Sequence, residues 1–411
     1  MKILENIEKC FSKQKKLELK PGIIMRKSLK SFLISVLLLT PFLMISQVRD
    51  SLSEPLIPTS KIELLKNINI TFDMRMEFQA YTFRGGDHYY NGIQFENGYT
   101  AMGFAAKLHD RLDFHFRNRF NKGGAVQTLD QLGSNIELAY LDLDLSLKVD
   151  LLLGKMSAFF GGYEYEFSPM FVLEYNDIHN NVLAYVTGAG ITFQAFEDHQ
   201  FGLQVLNSRT MLYSDIYGDV VAEDIQEPDW PVAVVGNWRG SFLDGKLETN
   251  YSLSYSNQVR KRGTYFFTLG HKYQNRNLTL MYDFDYSYEQ VDTKGIVTNI
   301  FGNDQIAENV TYIENWLRAE YRFSPKFKGL LTLMTSTAYG NSTTSNDHIR
   351  TSYGMIPTVY YSPFEKIDLR FFLAYIGRYY DYSNYAIDNL NASSYNKNEV
   401  RIGLIAPLLL L

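Results

Sequence analysis

Seven arginines, Arg75, Arg117, Arg119, Arg239, Arg370, Arg378 and Arg401, fall in segments where polar and apolar residues alternate, always on the polar parity. Four carboxylates, Glu164, Glu166, Glu174 and Asp177, crowd residues 156–181, a stretch with no lysine or arginine. Guanidinium groups are planar, permanently charged forks that hold anions or carboxylates. Carboxylates hold cations or pair with those forks. Neither set supplies a nucleophile by itself, so the chemistry on offer is electrostatic: orienting and sorting charged or polar solutes. Placed on opposite sides of a water-filled passage, the two sets create a transverse field. Placed in contact, they make mutual salt bridges. The acids also suit divalent cations, but no fixed ligand spacing supports a metal site, and none is expected.

Covalent and cofactor chemistry leaves no trace. There is no Gly-x-Ser-x-Gly, no His-Glu-x-x-His and no phosphate-binding glycine loop. The seven histidines are spread without pairing. No enzyme and no cofactor are expected. An outer-membrane hydrolase built from a Ser and a His distant in sequence is the weaker alternative.

The elements that must position the charges are strands. From Asn67 to Ala80, Ile68, Ile70, Phe72, Met74, Met76, Phe78 and Ala80 alternate with Asn67, Asn69, Thr71, Asp73, Arg75, Glu77 and Gln79. Successive strand side chains point to opposite faces, so one wall is apolar and the other charged. The pattern recurs to the end of the chain in about sixteen segments. Short gaps such as 109–111, 243–246, 275–277 and 324–326 take turns with longer ones such as 121–135, 156–181, 210–229 and 381–397. Asn257–Gly263 reads as a loop of medium length. A soluble sandwich has no reason to sort loop lengths by parity, whereas an outer-membrane barrel has short turns on one rim and long loops on the other. The expected fold is therefore all-β: a transmembrane antiparallel β-barrel of about 16 strands, with long extracellular loops and short periplasmic turns. Its apolar face meets lipid, and its polar face, including the seven arginines, meets an aqueous lumen. Because the last strand must pair with the first, Arg370, Arg378, Arg401, Arg75 and the Arg117/Arg119 pair are expected on neighbouring strands across the closure.

The amino terminus is consistent with export. Met25 opens a basic run, Phe32 to Ile45 is almost wholly apolar, and Ser46 and Gln47 end the run. This reads as a leader and signal peptide over 1–46, a periplasmic segment over 47–65 and a barrel over 66–411. Residues 1–46 carry nine Lys or Arg against three Asp or Glu, a net of +6, so removal takes the chain from −5 to −11. An acidic surplus excludes nucleic-acid binding through a basic surface. The single cysteine, Cys10, lies in the leader, which leaves neither disulfide nor thiolate chemistry to the remainder. The expected partners are outer-membrane lipids and small-molecule or ion solutes.

One region is distinctive beyond its alternation. Asp150 to Lys155 reads Asp-Leu-Leu-Leu-Gly-Lys, and 159–169 reads Phe-Phe-Gly-Gly-Tyr-Glu-Tyr-Glu-Phe-Ser-Pro, with Ala139-Tyr140-Leu141 upstream and Phe193 and Gln194 downstream. This resembles the fifth strand and third loop of the phosphate-selective porin O/P family. The resemblance implies a sixteen-stranded, trimeric outer-membrane porin whose third loop, here 156–181, folds inward. Phosphate-selective members use clustered basic residues, which this loop lacks, so the implication is passive diffusion of small polar or charged solutes without phosphate specificity. The alternative is a closed-lumen adhesin or structural barrel.

Overall fold

The computed structural model describes residues 67–411 apart from 86–87, 125–126, 128, 213–224, 302–305 and 342–345. The expected leader and the 47–65 segment lie outside the described residues. The strands are β1 Ile68–Gly85, β2 His88–His109, β3 Leu112–Arg119, β4 Ile136–Ser146, β5 Val149–Ser157, β6 Tyr185–Phe196, β7 His199–Asn207 and β8 Val232–Phe242. They continue as β9 Leu247–Val259, β10 Arg262–Asn275, β11 Leu278–Val291, β12 Glu308–Arg322, β13 Phe327–Asn341, β14 Asn346–Tyr361, β15 Arg370–Tyr382 and β16 Tyr395–Leu409. Each pairs antiparallel with its sequence neighbours, and β1 closes on β16 to give a sixteen-stranded barrel.

Alternation decides which side chains face in. In β1, Arg75, Glu77 and Gln79 are buried on the inner face, while Met76 between them is 42 % exposed outside. Leu331, Leu333, Met355, Val359, Leu373 and Ile402 continue the exposed apolar exterior, the surface a barrel presents to lipid.

Two expectations about connections change. Only Arg260 and Lys261 separate β9 from β10, with Lys261 taking φ 65° in the reversal, so the medium loop at Asn257–Gly263 is mostly strand. β1 ends at Gly85 and β2 begins at His88, and these two residues pair. Strand pairing continues to the rim there and replaces loop. The third loop also shifts: β5 keeps Met156 and Ser157, and β6 starts at Tyr185, so the connection runs over 158–184 rather than 156–181.

That connection enters the barrel. It carries two short helices, α1 Tyr163–Glu166 and α2 Asp177–Asn181. Its apolar side chains land on inward residues of the far wall. Met170, Phe171 and Leu173 pack with Tyr99, Tyr360, Phe372 and Ile405. Tyr163 and Phe167 pack with Met281, Trp316, Met334 and Ile356, and Ile178 joins Phe266 and Tyr312. Where the loop lies on it, the inner face thus carries apolar patches among its polar residues. Fully burying one such side chain is worth about 1.5–3 kcal/mol, which holds the loop in place against loss of its conformational entropy.

Candidate functional site

Glycines set the loop's entry. Gly161 has φ +84°, a conformation that side-chain-bearing residues rarely adopt. A Cβ on Gly162 would stand 2.3 Å from the Asp283 carboxylate carbon, so its hydrogen lets the backbone approach β11. There the Glu164 N–H donates to Asp283 Oδ2 (2.7 Å).

From this entry the chain crosses toward the closure of the barrel, where β15, β16 and β1 supply arginines. Arg75 Nη1 lies 2.6 Å from the Val172 carbonyl oxygen and 3.1 Å from those of Pro169 and Met170. Arg401 Nη1 donates to Leu173 O (3.0 Å), while its Nη2 donates to Glu399 (2.7 Å) and Glu77 stands 3.4 Å away. Two guanidiniums therefore hold four backbone carbonyls of 169–173, those of Pro169, Met170, Val172 and Leu173. Asp177 accepts from Arg378, Arg350 and Ser352 Oγ. Glu174 lies 3.5 Å from Arg378 and 3.4 Å from Lys397. Glu166 pairs with Arg239 and accepts from Asn250 Nδ2 (2.9 Å).

The other expected arginines are placed as follows. Arg117 pairs with Glu137 at 2.7 Å and donates to Tyr185; Arg119 lies 3.9 Å from the same carboxylate. Arg370 pairs with Asp368 and stacks 5.0 Å over Phe171 of the loop. All seven share the inner parity. The run across the closure is interrupted, however, because β2 intervenes between Arg75 on β1 and the Arg117/Arg119 pair on β3.

Two further corrections concern the acids. Glu166, Glu174 and Asp177 touch the wall's guanidiniums instead of facing them across open water, so mutual salt bridging describes the loop better than a field across a gap. Glu164 does not face open lumen at all. Its side chain is 1 % exposed, with Oε1 accepting from Asn176 N (2.8 Å) and Oε2 lying 3.1 Å from His179 Nδ1. Burial alone would draw the His179 imidazole down, but Asp285, Glu164 and Glu314 outweigh it and push its pKa up to about 10.

Among the described residues, a cavity of about 630 Å³ lies between loop and wall. Its charged lining comprises Arg75, Arg119, Lys122, Lys155, Lys397 and Arg401, against Glu137, Glu174 and Asp177. Of these, Lys155 is paired with Asp130 at 2.9 Å.

Sequence reasoning missed Arg350, Asp283, Asp285, Glu314 and His179. The signal for the carboxylates was present: Asp283 and Asp285 sit on the parity opposite Tyr282, Phe284 and Tyr286, and Asp285 is in register with Glu314 on β12. For His179 no local signal exists.

Similar architecture occurs in several solved structures. The outer-membrane channel DcaP of Acinetobacter baumannii matches with TM-score 0.59 at 11% identity, covering 84% of this chain and 98% of that one. An anion-selective porin from Comamonas acidovorans gives 0.53 at 9% identity, covering 83% and 99%. OprB of Pseudomonas putida gives 0.50 at 10%, covering 84% and 96%. At such identities these show the fold alone. No curated protein sequence matches the chain. The model of the family described as phosphate-selective porin O and P matches residues 68–406, from the first strand to within a few residues of the last strand's end. With a closed barrel, an inward third loop and a family match over its whole wall, the chain belongs to the phosphate-selective porin O and P family and is an outer-membrane porin.

Proposed function

We propose that this porin admits small polar solutes by passive diffusion, favours anions over cations, and narrows its lumen with a third loop latched to the wall by ion pairs. The observation that carries the reading is the cavity's charge balance. The loop acids Glu166, Glu174 and Asp177 are matched by Arg239, Arg350, Arg378 and Lys397. Six cationic residues, Lys397 included, line the open space against three acidic ones, Glu174 and Asp177 included. In a narrow passage with low-dielectric walls such a surplus raises the local concentration of anions. Inorganic phosphate has no special claim, since the loop supplies no lysine or arginine. The function is transport without catalysis. Residues 1–46 act as the export signal, and the protein assembles as a homotrimer in keeping with its family.

Planar-bilayer recordings of purified folded protein under a salt gradient test this. A reversal potential of the anion-selective sign supports the reading. A cation-selective sign overturns the charge assignment, and folded protein without conductance replaces the channel with the closed-lumen alternative. Native mass spectrometry reads the oligomer.

A further inference from the structure

Where α2 meets β11 and β12 lies a second constellation. His179 of α2, Asp285 of β11 and Glu314 of β12 each offer a donor atom, and these atoms lie within 4.8 Å of one another. All three side chains are shut away from water: His179 and Asp285 are 0 % exposed at the side chain, and Glu314 is 0 % exposed. Glu164 Oε2 stands 3.1 Å from His179 Nδ1.

Each carboxylate is held by one oxygen. Asp285 Oδ1 accepts from Thr268 Oγ1 (2.6 Å), Glu314 Oε1 from Ile178 N (2.7 Å) and Glu164 Oε1 from Asn176 N (2.8 Å). The second oxygens of Asp285 (Oδ2) and Glu314 (Oε2) and His179 Nε2 have no hydrogen-bond partner among the described residues, while Glu164 Oε2 and His179 Nδ1 have each other at 3.1 Å. Fixing one ligand atom and leaving its twin free is how outer hydrogen bonds orient metal ligands. Charge points the same way. Three buried carboxyl groups, with Asp283 adjoining, face one imidazole. Neighbouring cations are paired with other acids, Arg350 and Arg378 with Asp177 and Lys294 with Glu289. Buried charges that outnumber their partners call for a further cation.

We infer that His179, Asp285 and Glu314 bind a divalent transition ion, with Glu164 in reach as fourth donor, and that the ion pins the third loop to β11 and β12. One imidazole among carboxylates suits zinc better than calcium or magnesium, which take oxygen donors. Zinc ligands at about 2.0–2.2 Å in tetrahedral array stand roughly 3.4 Å apart, so binding draws the donors inward by about an ångström.

The test uses the whole mature protein, folded in detergent, stripped with chelator, loaded with zinc chloride and desalted. Elemental analysis is expected to find about one zinc per wild-type chain. His179→Gln and Glu314→Gln, shown folded by heat-modifiable gel mobility, are expected to bind at least tenfold more weakly in titration calorimetry. Equal zinc in wild type and both variants, or none in wild type, overturns the assignment. Should the variants not fold, cobalt loaded into wild type decides. The intense visible absorption of a tetrahedral site supports the inference, and the weak octahedral spectrum overturns it.

Discussion

Arg378 donates to Asp177 across 201 residues of sequence, joining the penultimate strand to the middle of the third loop. Arg350 shares the same carboxylate, and all three side chains are at most 10 % exposed. Removing the acid therefore leaves Arg350 buried without its anion and Arg378 with Glu174 alone, 3.5 Å away.

Asp177→Asn is expected to release α2 from the wall. Breaking one partner out of a buried ion pair costs about 3–5 kcal/mol, felt here as loop detachment more than as barrel unfolding. Single-channel recordings should show larger and noisier conductance than wild type, with the folded band on unheated gels retained. Conductance equal to wild type would contradict the latch.

Arg75→Gln tests the other anchor. Hydrogen bonds to charged groups are worth about 1.5–3 kcal/mol, and the substitution leaves carbonyls of 169–172 without their guanidinium. Amide exchange across that stretch should accelerate by one to two orders of magnitude while exchange in the outer strands stays unchanged. Hydrogen–deuterium exchange with mass spectrometry reads both regions in one experiment.

Selectivity is expected to follow the cavity's lining. Lys122 is exposed in that cavity, so Lys122→Glu should shift the reversal potential toward cations with a change in stability of no more than about 0.5 kcal/mol. Glu174→Gln should shift it the other way by unmasking Lys397. Shifts of the same sign in both variants would refute the electrostatic account.

Two glycines separate close approach from backbone conformation. A Cβ on Gly162 meets the Asp283 carboxylate at 2.3 Å, whereas Gly245, at φ +77°, has open space around it. Gly245→Ala should cost about 1–2 kcal/mol of stability and leave conductance alone. Gly162→Ala should change conductance, because the loop entry must move away from β11. Unfolding midpoints and channel recordings on the two variants check the contrast.

The wall was readable because a strand's period of two is visible over a few residues: Ile68 to Ala80 declares both faces without reference to anything else in the chain. Parity likewise placed Arg75, Arg378 and Arg401 inside. Alternation does not say where pairing stops, so β9, β10 and β5 ran past the loop boundaries drawn at 257–263 and 156, while β6 began short of the one drawn at 181. Inward aromatic residues such as Trp316, Tyr360 and Phe372 were illegible for a different reason. They are apolar on a face expected to be polar, and what they contact is a loop at least 140 residues away. The group around His179 draws on α2, β11 and β12, and no local spacing brings those together before the loop has folded in.

The residues that grip the loop also determine when it can be gripped. Asp177 and the 169–173 carbonyls bind to Arg378 on β15, Arg401 on β16 and Arg75 on β1, the strands that meet where the cylinder closes. Until β16 finds β1, half of that landing ground does not exist, and contacts of such long sequence separation form late. Closing the wall and narrowing the passage are thus a single assembly step: an unclosed intermediate is also an unplugged one.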